Sequence, residues 1–550
     1  MDDKHTFRRF EDGADPNDWD LEEKIFVQDT SYKCPTYVHR TPPCQGSCPA
    51  GEDIRGWLNI VRGIEKPPKD ADGNEMDWAD YAFQRSTNAN PFPAIMGRVC
   101  PAPCEDGCNR NEVEDHVGIN AVEHFIGDHA LKNNLALRAP GADTGKNIAL
   151  IGGGIASLTA AYQLRRKGHA CTIFEAHDKL GGMMRYGIPG YRTPRDVLDG
   201  EIQRVLDMGV GVVTNTKIGV DIQLEDLERD YDAVFVGIGA QSGTPIPIPG
   251  AEEAHNCITG VAFLEAFNDG RLQHGAEKVL VIGGGDTAMD VAAVARRLGH
   301  ITQSHEKDRP EMVVLGHTAH DVATAAKRQG AEVTVVYRRP VDKMPATEME
   351  VRHVRAEGVE IAASLVPLEV VLDGPDRARA LKVAKVDWSS GKMEVIEGSE
   401  HEIECDLIVA AIGQAGDMTG LEELANDRGL MNADAHFRWP DREGIFVAGD
   451  IVKPHLLTTA VGQASIAADA IDHYVSGQEQ QKLPKVNVHH FDLLDKLRES
   501  GHPPGEYDHV QRSGTDQAEY AVHNFEDRAS NQIVPSDELY LGHWPHEARF

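Results

Sequence analysis

Long apolar runs are missing from this chain. No stretch of about twenty consecutive apolar residues occurs, so no membrane-crossing helix is expected. The first residues, MDDKHTFRRFEDG, hold no apolar core and no small-residue cleavage site; a cytoplasmic location without a secretory leader is expected. Basic residues are scarce as well: 55 Lys and Arg stand against 88 Asp and Glu, a formal net charge of −33 over 550 residues. That balance argues against nucleic acid and anionic membrane as partners, and fits an acidic solvated surface or steering toward a basic partner. Cysteine nearly vanishes after residue 108, where only Cys171, Cys257 and Cys405 occur. These three fall in or near apolar segments and are expected as small buried residues. No convincing side-chain acid or nucleophile for catalysis stands out.

The other six cysteines are concentrated. Cys34, Cys44 and Cys48 form C-x9-C-x3-C-P; after 51 residues, Cys100, Cys104 and Cys108 form C-P-x2-C-x3-C. In a reducing compartment, clustered cysteines bind metal or act chemically more often than they pair. Close thiolates followed by prolines are how a chain wraps iron–sulfur clusters. Structural zinc is the rival, but zinc prefers paired short knuckles. Six thiolates are too few for two four-cysteine clusters, so either one cluster forms or two form with other ligands.

A length of 550 residues suggests roughly three or four domains of about 150 each. After a polar, acidic arm (residues 1–30), the cysteine-bearing stretch (31–145) mixes Pro-rich turns with helical patterns such as EDIRGWLNIVRG and GINAVEHFIGDHAL. From Asn147 the pattern becomes α/β. The strand NIALI runs into Gly152-Gly153-Gly154-Ile155-Ala156-Ser157 and then a helix. This is the G-x-G-x-x-G turn that brings backbone N–H groups and a helix N-terminus to a pyrophosphate, with Ser157 in the third glycine's place. Glu175 closes the next strand, HACTIFEA, where an acid holds a ribose hydroxyl. A second turn, Gly283-Gly284-Gly285-Asp286-Thr287-Ala288, follows VLVI, and its partner strand AEVTVVY ends in Arg338-Arg339. Arginines in that slot suit a 2′-phosphate, which favours NADPH over NADH. Residues 300–329 form an insertion that is long for such a connection. Gly449-Asp450, after GIFVA, places a carboxylate near a ribityl or pyrophosphate group, and the helix from about Thr458 turns its N-terminus to a flavin. The fold class expected is α/β, with two Rossmann-like domains behind an α-helical iron–sulfur domain. The FAD-binding domain takes residues 146–270 and 405–475, the NAD(P)H-binding domain 271–404. The polar tail, 476–550, is expected to dock or to extend.

Several segments together, NPFPAIMGRVCPAPCEDGC, IGGGIASLTAAYQLRRKGH, GGMMRYGIPGYRTP, VIGGGDTAMD, VTVVYRRPVDKMPA and FVAGD with TTAVGQA, resemble the small (β) subunit of bacterial glutamate synthase and the N-terminal half of dihydropyrimidine dehydrogenase. The resemblance covers about residues 30–475. It implies FAD, NADPH and two [4Fe–4S] clusters. By motif, Cys48, Cys100 and Cys104 share one cluster, whose fourth ligand is a Gln or Glu on a following helix; Glu123 holds that position. The other takes Cys44 and Cys108 with an upstream cysteine pair, of which only Cys34 is present; His39 is a substitute ligand to consider. FAD would touch Gly152, Gly154, Ile155, Ala156, Ser157, Glu175, Gly182, Met183, Arg192, Gly449, Asp450 and Thr459. NADPH would touch Gly283, Gly285, Asp286, Thr287, Arg338, Arg339, Lys343 and Gly413. The implied function is electron transfer between NADPH, FAD, the clusters and a partner redox subunit or ferredoxin-like acceptor. Two alternatives stand beside it: a true glutamate synthase small subunit feeding an amidotransferase, and a free-standing NADPH:acceptor oxidoreductase. The insertion and the tail depart from a plain glutamate synthase small subunit.

Overall fold

A computed structural model of the chain describes residues 7–9, 38–40, 42–69, 73–108, 111, 117–272, 276–298 and 331–480. Cys34, most of the acidic arm, the 300–329 insertion and nearly all of the tail lie outside them.

The cysteine-bearing stretch is helical. Its helices are Pro43–Ser47, Ile54–Val61, Trp78–Ser86, Pro93–Val99, Pro103–Asp106 and Ile119–Lys132. Three of them start on proline, whose fixed φ suits the first turn and whose missing N–H costs nothing there. Asp53 and Asp77 cap two others, accepting from Gly56 N (3.2 Å) and Ala79 N (2.8 Å). Cys48 and Cys100 sit just past two helix ends with extended backbones. The Pro93–Val99 and Ile119–Lys132 helices touch backbone to backbone at two glycines. A Cβ on Gly97 would lie 2.4 Å from His124 Cα, and one on Gly127 would lie 2.1 Å from Ala94 N. A buried fork locks the same pair: Arg98 donates to both Asp128 oxygens, at 2.7 and 2.8 Å. Burial opposes ionisation of Asp128, but His124 and Arg98 outweigh it and hold the carboxyl well below the usual range.

Two parallel five-stranded sheets follow. The first has the order Ile445–Val447, Ala233–Val236, Asn147–Ile151, Ala170–Phe174, Gly211–Val213. Its central strand alternates: Ile148 and Leu150 face the helical side, Ala149 and Ile151 the other, and both cores are closed. Burial on both faces is why Ile148 to Ile151 are continuously apolar, while Asn147 at the strand start is exposed. Helices Ile155–Lys167 and Leu457–Val475 pack together over the first face. Glu201, on helix Arg195–Leu206, accepts from Ala94 N (2.8 Å) and Ile95 N (2.9 Å), tying the start of the Cys100-bearing helix to this unit.

The second sheet has the order Glu360–Ala363, Glu332–Tyr337, Lys278–Ile282, Leu407–Ala410, Cys257–Thr259. The last two strands correct the expected domain borders. Leu407–Ala410 pairs with Lys278–Ile282, and Cys257–Thr259 pairs with Leu407–Ala410. The second unit therefore starts before 271 and continues past 404. The reason is pairing across the chain: a short strand at a domain boundary carries no mark of the sheet it will join. An antiparallel sheet of Leu365–Leu372, Ala378–Asp387, Glu394–Val395 and His401–Glu404 is inserted in this unit. A two-stranded link, Ser242–Gly243 with Gln414–Ala415, carries the chain between the two units.

Candidate functional site

The first glycine turn opens a cleft at the carboxyl end of the first sheet. Gly152 has φ +90°, and a Cβ there would lie 2.7 Å from Gly237 O, so the tight turn excludes a side chain. Gly153 N donates to Glu175 Oε2 (2.6 Å) and His177 N to Oε1 (2.8 Å), so Glu175 is held rigidly beside the turn. Ser157 is buried; a Cβ on Gly237 would meet its Oγ at 2.4 Å, which explains a small residue at the third position. Gly154, Ile155, Ala156, Gly182, Met183, Gly449 and Asp450 line the cleft. Burial pushes the Asp450 carboxyl up to about 6, opposed by the His455 N–H that it accepts (3.1 Å). Leu457 and Ala460, from the first turn of helix Leu457–Val475, form the far wall. Sixteen residues, six of them glycine, leave room at two backbone turns and a helix N-terminus, the shape and dipole a dinucleotide pyrophosphate requires.

Of the residues proposed from sequence for FAD, Gly152, Arg192 and Thr459 stand apart from this lining, as do Ser157 and Glu175. Thr459 accepts or donates at His455 Nδ1 (2.7 Å). Arg192 reaches instead into the second unit, donating to Asp290 Oδ1 and Glu350 Oε1 at 2.7 Å each. Its segment crosses to the second unit, where two carboxylates at 10% and 20% exposure satisfy the guanidinium.

The second glycine turn repeats the arrangement. A Cβ on Gly283 would lie 2.3 Å from Ala411 O, and one on Gly284 would strike the Tyr337 ring; Gly285 faces open space. Asp286 starts helix Asp286–Leu298, and burial, then Glu350, raise its carboxyl, with Arg192 opposing. Thr287 follows on that helix. Arg338 and Arg339 are exposed at the end of strand Glu332–Tyr337. Trp388 Nε1 donates to Arg338 O (2.7 Å), and the Arg339 guanidinium lies over the Trp388 ring at 5.3 Å. Lys343 is exposed beside Asp342 (3.3 Å). Gly413 O accepts from Thr244 N (3.0 Å) at the link between the units. The turn, the arginines and Gly413 thus cluster at the carboxyl ends of three adjacent parallel strands, the usual place for a nucleotide.

Three of the cysteines, Cys48, Cys100 and Cys104, converge on a separate small pocket. Cys48, Cys100, Cys104 and Glu123 line it, together with Glu52, Asn120 and Thr458. Ala102 N donates to Cys100 Sγ (3.4 Å) across a left-handed residue. Burial pushes the Cys48 and Cys104 thiols well above the usual range, Glu52 and Glu105 adding to it. Asn90 Nδ2 donates to Glu123 Oε1 (2.7 Å) and Glu52 Oε1 (3.2 Å). Burial raises Glu52 to about 7, and burial plus Glu52 raise Glu123. Three thiols and two carboxylates packed this closely, largely out of solvent, strongly disfavour their anions. A cation reverses that, and soft thiolates select iron or zinc. Cys44, on helix Pro43–Ser47, and Cys108, just past helix Pro103–Asp106, are half-buried and close enough for charge on Cys108 to raise Cys44 beyond the effect of burial. Cys171 and Cys405 are buried as expected, while Cys257 is half-buried. Glu52, Asn90, Thr458 and Trp388 escaped the sequence reading. Only Glu52 carried a signal, four residues after Cys48.

A helical thiol-bearing domain ahead of two Rossmann-like units is the build of an iron–sulfur flavoprotein oxidoreductase. Residues 146–464 match the pyridine nucleotide-disulphide oxidoreductase family, and residues 26–135 match dihydropyrimidine dehydrogenase domain II, 4Fe-4S cluster. The chain belongs to the pyridine nucleotide-disulphide oxidoreductase family, as an NAD(P)H oxidoreductase with FAD, a pyridine nucleotide and [4Fe–4S] iron as cofactors. It is 33% identical over 467 residues to the NADP(+)-dependent formate dehydrogenase subunit beta of Moorella thermoacetica, covering 79% of this chain and 60% of that one. It is 30% identical to the NADPH-Fe(3+) oxidoreductase subunit beta of Geobacter sulfurreducens, over 82% of this chain and 67% of that one. It is 31% identical to the glutamate synthase [NADPH] small chain of Mycobacterium tuberculosis, over 80% and 88%. The chain thus spans about three fifths of the formate dehydrogenase subunit. Among the described residues, no helix is long and apolar enough to cross a membrane.

Proposed function

We propose that this chain is the NADPH-linked electron-transfer subunit of a larger redox enzyme. The observation that carries the reading is a shared wall. One turn of helix Leu457–Val475 lines the dinucleotide cleft with Leu457 and Ala460 and the thiol pocket with Thr458. When bound, FAD supplies the exchange between a hydride pair and the single electrons that [4Fe–4S] iron carries. The chain's own residues bind and orient. Gly152 to Ala156, Gly182, Gly449 and Asp450 cradle FAD; Gly283 to Thr287 take the NADPH pyrophosphate and Arg338 its 2′-phosphate. Cys48, Cys100, Cys104 and Glu123 hold one cluster, and Cys44 and Cys108 contribute to a second with Cys34. No side-chain acid or nucleophile is needed. The names of the relatives, subunit beta and small chain, support a partner subunit that receives or supplies the electrons.

Glu123→Ala tests the ligand set. The anaerobically prepared variant is expected to show an altered electron paramagnetic resonance (EPR) spectrum for one cluster and an unaltered flavin absorbance. A wild-type spectrum would remove Glu123 from the ligands.

A further inference from the structure

Thr458 occupies the second position of helix Leu457–Val475 and is 3% exposed. Its hydroxyl Oγ1 is fully enclosed and has no hydrogen-bond partner among the described residues. At the second position of a helix there is no carbonyl one turn back within the helix for it to use. An unpaired buried hydroxyl is costly, so the pocket it faces must offer an acceptor. That pocket is the one formed by Cys48, Cys100 and Cys104. The helix rests directly on the Cys48–Pro49 turn: a Cβ on Gly462 would lie 2.0 Å from Pro49 O.

We propose that Thr458 donates its hydroxyl hydrogen to a sulfur of the group held by Cys48, Cys100 and Cys104, and thereby sets that group's reduction potential from the wall it shares with the flavin cleft. Thr458 is a positioning residue here, not a ligand, and the inference rests on reading the pocket as a cluster site. Hydrogen bonds to cluster sulfurs favour the more negative, reduced form. The hydroxyl offers one such donor, and Leu457 and Ala460 of the same helical turn line the flavin cleft.

The test is an EPR-monitored redox titration of the anaerobic holoprotein. The cluster is identified by the signal that Glu123→Ala changes. Thr458→Val, which keeps the shape and removes the donor, is expected to shift reduction of that cluster about tenfold unfavourably, a potential more negative by about 59 mV for one electron. Thr458→Ser is expected to restore the wild-type value, and Thr458→Ala to reproduce the loss should the valine variant not fold. The flavin-to-protein ratio stays constant throughout. A wild-type potential in the valine or alanine variant overturns the inference, as does a shift that serine fails to restore. A wild-type holoprotein with flavin but no iron signal overturns the cluster reading itself, and the inference with it.

Discussion

Arg338→Glu is expected to reverse the nucleotide preference, lowering kcat/KM for NADPH roughly 10- to 150-fold, the worth of one charge-assisted hydrogen bond. NADH turnover should hold or rise, because the new carboxylate can accept from a ribose 2′-hydroxyl. The structure supplies the reason for choosing Arg338 over its neighbour. The Trp388 indole fixes the Arg338 carbonyl by a 2.7 Å hydrogen bond and takes the Arg339 guanidinium over its ring. Arg338 is left exposed at the strand end beside the glycine turn. Steady-state kinetics with both nucleotides and an artificial acceptor measure the ratio; an unchanged ratio contradicts the assignment of Arg338 to the 2′-phosphate.

Gly127→Ala is expected to destabilise the amino-terminal domain by about 3 kcal/mol or more, the upper range for overpacking a core. Its Cβ would lie 2.1 Å from the Ala94 amide nitrogen, a backbone atom that cannot swing aside as a side chain would. The facing helices must separate. They bear the two halves of the proposed ligand set: Pro93–Val99 ends at Cys100, and Ile119–Lys132 carries Glu123. The Arg98–Asp128 fork across the same seam would be strained with them. Iron per flavin should fall along with the melting temperature, while the flavin, held by the first sheet, stays. Wild-type melting and iron content would show that the seam tolerates a methyl group.

Much of this molecule was legible because its signals are local. A glycine turn needs its strand, its helix and an acid about twenty residues on, and Glu175 lies where that spacing placed it, bonded to the Gly153 amide. The described cysteines of the amino-terminal domain sit close in sequence, Cys44 with Cys48 and Cys100 with Cys104 and Cys108, so their grouping was equally plain. What the sequence hid depends on pairing between distant segments. Asn90 bridges Glu52 and Glu123 across 38 and 33 residues, and nothing near Asn90 announces it. Arg192 lies within a motif associated with FAD, yet its guanidinium ends on Asp290 and Glu350. Strand Leu407–Ala410 reads like the earlier strand of the first sheet but pairs within the second, because apolar composition marks a strand as buried without naming its neighbours. Thr458 was hidden by helical geometry: the adjacent Leu457 faces one pocket while Thr458 faces the other.

The central claim is that reducing equivalents pass between NADPH and thiolate-held iron within this chain. Anaerobic titration of the purified holoprotein with NADPH, followed by absorbance and EPR in the same samples, tests it most directly. The account predicts bleaching of the flavin band together with the appearance of reduced [4Fe–4S] signals. A colourless protein, or one whose thiol pocket holds zinc and gives no iron signal on reduction, would contradict it.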